Sequence, residues 1–323
     1  MPSKLHKLGY ALSSRAKRGI CFFFLLMLPF LATSLSAWTR PKRPHATGID
    51  HVRLYVTDID ESHQFYSKLF GLLPEQHNCY GRLFPCFTIR GKQHQKIVLE
   101  QAPSGESNFV REIAIATDDI YEMRRYIVSK SVKATKIAKD KYEGSDVDAH
   151  FEVRDPEGHV ISFIHVYGLS DLPADAPAPR GVQIIHAGFI VRDRDKMEQF
   201  YKDILGFRPY WHGGMKDDET SWVSLQVPDG TDWLEFMLYD PTGKDKHFLG
   251  VMNHIALGVT DIHATQEQLR KNGAPLTEEP KIGRDGKWQL NVYDPDQTRI
   301  EFMEFTPVQK PCCSEFTAPH PRP

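Results

Sequence analysis

Cysteine is scarce in this chain, five in 323 residues, and none stands in Cys-x-x-Cys spacing. That excludes a disulfide scaffold and the usual structural zinc sites. A surplus of either charge is also missing. Forty Lys+Arg face forty-two Asp+Glu for a formal net charge of −2, so no basic excess points to nucleic acid. With 41% hydrophobic and 25% charged residues, the composition is that of an ordinary globular protein, which excludes disordered, collagen-like and multi-span membrane chains. The length suits about two domains, each large enough to bury its own core.

The first forty residues differ from the rest. Residues 1–19 carry Lys4, Lys7, Arg15, Lys17 and Arg18 and no acid, and the apolar run ICFFFLLMLPFLATSLSA follows over 20–37. A basic start, a short apolar stretch and small residues near Ser34–Ala37 describe a signal peptide over 1–37. The run is almost long enough to span a bilayer, so an uncleaved signal anchor is the second reading. Pro29 and the small polar residues after it favour cleavage. The expected location is therefore periplasmic or secreted, with membrane attachment only if this segment is retained. Cys21 precedes most of the apolar run and is not placed for lipid attachment. Residues 38–47 read as a linker. An oxidising compartment would permit a Cys79–Cys86 bridge, which sequence alone does not fix, and two small apolar strand residues read equally well. The tail 307–323 is Pro-rich, contains the adjacent Cys312 and Cys313, and is expected to be disordered.

Self-comparison organises everything between these ends. IDHVRLYVTDIDESHQFYSKLFGL (49–72) aligns with IIHAGFIVRDRDKMEQFYKDILGF (184–207) at a shift of 135 residues. The shift superposes His51 on His186, Phe65-Tyr66 on Phe200-Tyr201 and Gly71 on Gly206, and it places Glu100 over Glu235. A weaker pair follows: EIAIATDDI (112–120) matches HIALGVTDI (254–262), and VRDPEGHVISF (153–163) matches VYDPDQTRIEF (292–302). The body thus reads as two domains, 48–167 and 183–306, each of two units, joined by the Pro/Ala/Asp-rich linker 168–182.

Within one unit the periodicity changes from strand to helix and back. HAGFIVRD alternates, then Met197, Phe200, Tyr201, Ile204 and Leu205 recur at helical spacing up to a stop at Gly206. SWVSLQVP and DWLEFMLYD follow as strands around Pro228-Asp229-Gly230-Thr231, and a strand near 209–215 completes β-α-β-β-β. In the fourth unit NHIALGV is a strand and IHATQEQLRKNG a helix ending on Gly273. Strands are expected near 275–282, 286–294 and 298–305.

Four residues of the second half stand out: His186, Glu235, His254 and Glu301. Each His lies early in the first strand of its unit and each Glu in the last, 49 residues apart in the third unit and 47 in the fourth. In two packed copies, such pairs converge from pseudo-symmetric sheets. Two imidazoles and two carboxylates without thiolate suit one divalent ion, Zn, Fe(II), Mn, Ni or Co. A lone strand His is ordinarily a hydrogen-bonded interior group, and a lone strand Glu ordinarily faces solvent. Here both glutamates sit inside apolar runs, WLEFML and RIEFMEF, where an unpaired charge is expensive. The first half keeps His51 and Glu100 but has Glu112 and Ser162 at the other two places, so its metal site is expected to be weak or absent.

These residues resemble the vicinal oxygen chelate superfamily, which includes glyoxalase I, extradiol dioxygenases and the bleomycin- and fosfomycin-resistance proteins. The carriers are HVRLYVTD…FYSKLFGL, HAGFIVRD…FYKDILGF, HIALGVTD and YDPDQTRIEF, and the likeness runs from Gly48 to Phe305. It implies an α+β fold of four βαβββ units paired into two eight-stranded half-open barrels. It also implies a metal in the second cavity and a small-molecule substrate with vicinal oxygens. The His-Glu-His-Glu set resembles that of glyoxalase I, which implies a lyase or isomerase whose metal is a Lewis acid and whose base is Glu301 or Glu235. An exported protein would need a substrate other than a cytosolic glutathione adduct. One alternative is an extradiol dioxygenase using His186, His254 and Glu301. Against it, Asn291 stands where that fingerprint has Tyr, and no His occurs between His263 and His320. The other alternative is non-catalytic binding of a small molecule, as in the resistance proteins, in a cavity lined by Trp211, His212, Met215, Tyr239 and Trp288.

Overall fold

Alternation and capping decide the elements. The computed structural model describes residues 41–70, 78–79, 84–89, 95–106, 109–142, 145–167 and 182–323. The N-terminal apolar segment and nearly all of the 168–182 linker lie outside these residues. In the first half the order is β1 (Ala46–Val56), α1 (Ile59–Phe70), β2 (Asn78–Cys79), β3 (Phe84–Ile89), β4 (Gln95–Gln101), β5 (Val110–Thr117), α2 (Ile120–Ser129), β6 (Ala138–Tyr142), β7 (Ser145–Arg154) and β8 (Val160–Val166). The second half has β9 (Gln183–Val191), then α3 (Arg194–Glu198) running into a π-helical turn at Gln199–Ile204. There follow β10 (Arg208–Gly213), β11 (Trp222–Gln226), β12 (Trp233–Leu238), α4 (Lys246–Met252), β13 (His254–Val259), α5 (Ile262–Asn272), β14 (Lys281–Ile282), β15 (Trp288–Tyr293) and β16 (Arg299–Glu304). Four βαβββ units are present, and α4 is an addition that the periodicity did not reveal. Among the described residues no helix is long and apolar enough to cross a membrane.

The strands form two eight-stranded mixed sheets, ordered β2-β3-β4-β1-β5-β8-β7-β6 and β10-β11-β12-β9-β13-β16-β15-β14. These are the two half-open barrels that the family resemblance implied. The recurrent Asp after each first strand caps the next helix. Asp119 accepts from Tyr121 N and Glu122 N, and Asp261 accepts from Ala264 N. Gly206 and Gly273 stop their helices at φ 85° and 78°, a left-handed geometry that only glycine adopts without strain.

Each strand of the second sheet shows two faces. Leu234, Phe236, Ile255, Leu257, Ile300 and Phe302 point outward into an apolar core shared with the helices and the first half. Trp233, Ala256 and Met303 point inward to a smaller cluster with Tyr210 and Trp211. The halves are also pinned by reciprocal buried hydrogen bonds. Tyr66 OH donates to Asp294 (3.0 Å), and Tyr201 OH donates to Asp155 (3.1 Å). Ile49 N donates to Asp232 (2.9 Å), and Ile184 N donates to Gln95 Oε1 (2.7 Å).

That last pair corrects the alignment of the glutamates. Gln95 and Asp232 play the same part 137 residues apart, not 135. The pairings agree: Glu235 lies opposite Gly188 of β9, whereas Glu100 lies opposite Tyr55 of β1. Val98, opposite Arg53, occupies the structural place of Glu235. Glu100 is two residues, about 7 Å, further along its strand. A shift of two keeps the same face of the strand, so the alternation pattern could not expose it.

The C-terminal tail is a second correction. Residues 307–323 are not disordered; they lie against the second sheet through Cys312 N to Arg284 O (2.9 Å), Thr317 N to Tyr210 O (3.0 Å) and Gln226 Nε2 to Pro319 O (2.8 Å). Phe316 and Ala318 pack on the inner cluster, which supplies the apolar contact that a Pro-rich composition concealed. Cys312 is joined to Cys313, and Cys86 is also held in a disulfide.

Burial pushes Asp294 up to about 7. Its folded value is above the ordinary one, so its protonated form favours the fold; the contribution is complete below the ordinary carboxylate range and is lost as pH rises through about 7. The stability of the wild type relative to Asp294→Asn should therefore fall between pH 5 and pH 8 in urea unfolding. A difference that is flat or rises over that interval would contradict the assignment.

Candidate metal centre

The four central strands of the second sheet, β12-β9-β13-β16, each present one donor on the inner face. Glu235 and His254 flank Gly188 in one row, and His186, Ala256 and Glu301 form the next. Pairing of β9 with β13 skips from Ile184 to His186, a bulge that turns His186 inward. His186 Nε2 lies 3.0 Å from His254 Nε2, 3.8 Å from Glu235 Oε2 and 3.6 Å from Glu301 Oε2. His254 Nε2 is 3.3 Å from Glu235 Oε2 and 3.7 Å from Glu301 Oε2. The structure thus brings together all four residues singled out from the sequence. Donors bound about 2.0–2.2 Å from one ion stand roughly 3–3.6 Å apart. The donor atoms of His186, His254 and Glu301 all lie within 4.8 Å of one another and Glu235 Oε2 reaches both imidazoles, so the set fits a divalent ion in donor type and comes close to it in spacing.

Gly188 is what makes room. A Cβ there would lie 2.0 Å from His254 Cε1 and 2.4 Å from its Nδ1. His254 Nδ1 donates to Met252 O at the end of α4 (3.1 Å), which leaves the Nε2 lone pair facing the other donors. Burial holds both imidazoles well below their ordinary value, so they are neutral and available as ligands at neutral pH. Burial also pushes the Glu301 carboxyl up to about 7, against the pull of Arg299. Arg299 Nη2 donates to His254 Nε2 (2.9 Å) and lies 4.0 Å from Glu301 Oε2. A guanidinium therefore offsets the carboxylates, and it would have to give up its bond to His254 when that nitrogen takes a cation.

A cavity of about 430 Å³ opens beside the donors. Glu235, Glu301 and Arg299 line it together with an apolar wall that includes Trp211, Trp222 and Trp233. Of the residues expected around a cavity, Trp211, Met215 and Tyr239 are there. His212 instead faces a smaller pocket on the outside of β10, and Trp288 packs against the outer core beside His263. Gly188, Arg299 and the tail's Phe316 escaped sequence reasoning. Gly188 carried a weak signal, a glycine inside an otherwise apolar strand.

The first half solves the same burial problem with arginine. Arg53 occupies the place of Gly188, opposite Glu112 as Gly188 is opposite His254. Its guanidinium lies 3.2 Å from Glu112 and 3.3 Å from Glu100. Ser162 Oγ donates to Glu112, and His51 Nδ1 bonds Asp50 (2.7 Å). Burial would raise the Glu112 carboxyl, but His51, Arg53 and Ser162 together hold it below the usual range.

The model of the "Glyoxalase/Bleomycin resistance protein/Dioxygenase superfamily" matches residues 48–163 and 183–302. A lactoylglutathione lyase of Haemophilus influenzae is 35% identical over 125 residues, covering 38% of this chain and 93% of that protein. A probable lactoylglutathione lyase of Synechocystis is 32% identical over 123 residues, covering 38% of this chain and 94% of that protein. Among solved structures, homoprotocatechuate 2,3-dioxygenase of Brevibacterium fuscum, in complex with 3,4-dihydroxyphenylacetate, superposes with a TM-score of 0.58 at 17% identity. The match covers 86% of this chain and 84% of that one. At that identity the likeness is one of fold.

Gly188→Ala forces a methyl group into the His254 ring. It should destabilise the protein by roughly 1–3 kcal/mol in denaturant unfolding, the usual range for overpacking a close-packed interior. Unchanged stability would mean that His254 does not sit over this glycine.

Proposed function

The chain belongs to the glyoxalase/bleomycin resistance protein/dioxygenase superfamily, and from that premise we propose that it is a divalent-metal-dependent lyase or isomerase acting on a small molecule with vicinal oxygens. One observation carries the reading: two imidazoles and two carboxylates on four neighbouring strands, with His–His and His–Glu separations of 3.0–3.8 Å. His186, His254, Glu301 and Glu235 would hold the ion, which would supply Lewis acidity toward two adjacent substrate oxygens.

The remaining chemistry falls to the chain's own residues. His186, His254 and Glu301 form the tight, buried part of the set. Both glutamates line the cavity, and Glu235 is the more exposed, its side chain 15% accessible against 4% for Glu301. Glu235 is the better placed of the two to accept a proton from a substrate carbon next to a carbonyl. The tryptophan wall excludes water from the carbon that loses the proton. Arg299 offers positive charge on the same side as the developing oxyanion. The reading includes export through the N-terminal segment, and hence a substrate met outside the cytosol.

Elemental analysis of the purified protein should find one divalent ion per chain. His254→Ala should lower the affinity for that ion by about tenfold or more, and His51→Ala should leave it unchanged. Equal loss from both variants would contradict a single site in the second barrel. Glu235→Gln should cut turnover about 10²- to 10⁴-fold while the fold is retained. Turnover should proceed without oxygen and place solvent deuterium on the substrate carbon. Strict dependence on O₂ would instead assign the His186, His254 and Glu301 face to ring-cleaving oxygenation.

A further inference from the structure

The half-open second barrel has two free edges, β10 and β14, and the C-terminal tail joins them. On the β14 side, Val308 N donates to Gly286 O (2.9 Å) and Cys312 N to Arg284 O (2.9 Å). On the β10 side, His212 N donates to Ser314 Oγ (3.0 Å), which donates in turn to His212 O (2.9 Å). Thr317 then bonds Tyr210 O through its N (3.0 Å) and Pro209 O through its hydroxyl (2.7 Å). His320 Nδ1 meets Tyr210 OH at 2.6 Å. A segment tied this regularly to both edges is part of the barrel wall.

Phe316 lies among the ties to β10, between Ser314 and Thr317. Its ring is 4.9 Å from that of Tyr210 and 6.4 Å from that of Trp211, and it lines the same cavity as Glu235 and Glu301. Beneath it, Lys287 is fully buried, with Nζ 4.6 Å from the Trp233 ring, 5.2 Å from Phe316 and 5.4 Å from Tyr210. The three aromatic faces hold the ammonium by cation–π contact, and Lys287 Nζ also donates to Tyr210 OH (3.3 Å). Phe316 is the face supplied by the tail.

We propose that the tail 307–323 is the closing wall of the substrate cavity and that Phe316 sets specificity, selecting a small molecule whose adjacent oxygens meet the His/Glu donors and whose remaining body is apolar. The proposal rests on the metal-site reading of the preceding subsection. The ligand class follows from the lining: beside the donors and Arg299, six aromatic rings and four methionines form most of the wall, and Ser224 and Asn291, next to Glu235 and Glu301, with Lys281, Arg284, Asp285 and Gln289 form its polar part. Burying an apolar body against the aromatic and methionine part of that wall is favourable.

Two acids with the same chelating pair of oxygens separate the possibilities, mandelate with a phenyl group and lactate with a methyl. Binding is followed by tryptophan fluorescence in the metal-loaded full-length protein. Mandelate should bind about tenfold or more tighter than lactate, and Phe316→Ala should bring the two within about threefold by weakening mandelate more than lactate, with metal content unchanged. Phe316→Leu, which keeps an apolar wall, should retain most of the preference. Independently of any ligand, deletion of 307–323 and Phe316→Ala should each raise acrylamide quenching of the cavity tryptophans about twofold or more.

An unchanged acid preference and unchanged quenching, with metal-dependent binding intact, would overturn the tail's role and leave the metal site standing. S-lactoylglutathione binding tighter than mandelate would overturn the ligand class. Binding of mandelate and lactate that does not require the metal, with the quenching change intact, would overturn the metal-site reading and keep the wall.

Discussion

Two carboxylates and two imidazoles share the inner face of a sheet whose outer face is packed into apolar core, and that electrostatic constraint shapes the second barrel. Desolvated charge must be compensated by a cation, by a guanidinium or by protonation. The backbone has been arranged for compensation at one point: a bulge turns His186 inward, Gly188 leaves space under His254, and Ala256 keeps the row between His186 and Glu301 clear. Arg299 supplies a protein-borne positive charge at the same place.

The first barrel is the same architecture with the constraint met differently. Arg53 stands where the second barrel has Gly188, and its guanidinium neutralises Glu112 and Glu100 from within. The fold tolerates the exchange because it is held by the outward stripe of each strand, which is apolar in both halves and continuous with one core. Inward residues are free to diverge as long as their charges balance. Core packing and inward charge in this protein therefore reside on opposite faces of the same strands, and one half keeps the architecture with a different set of inward charges.

Contacts between the halves make them one body. Tyr66 reaches Asp294 while Tyr201 reaches Asp155, and Asp232 receives Ile49 N while Gln95 receives Ile184 N. These reciprocal bonds join residues from 46 to 228 positions apart; the tyrosine pair ties the turns after β7 and β15 to the helices of the opposite half, and the other pair ties β1 and β9 to the opposite half. The tail extends the same logic to the free edges of the second sheet, where unpaired strand edges would otherwise face solvent.

The chain's own pattern determined the βαβββ units, their grouping into two halves and the recurrence of His and Glu at matching strand positions of the second half, because a repeated unit returns the same residue types to the same strand positions. Glu301 and Glu235 were conspicuous because they interrupt apolar runs, and His186 and His254 because they recur. Only the tertiary structure decided that Glu100 is not the counterpart of Glu235, since a two-residue slip preserves alternation and leaves no trace in a linear alignment. It alone showed Gly188 under His254, Arg299 beside it and the Pro-rich tail as an ordered wall. Those features depend on which atoms approach across strands, and local propensity and periodicity do not encode distances between segments far apart in the chain.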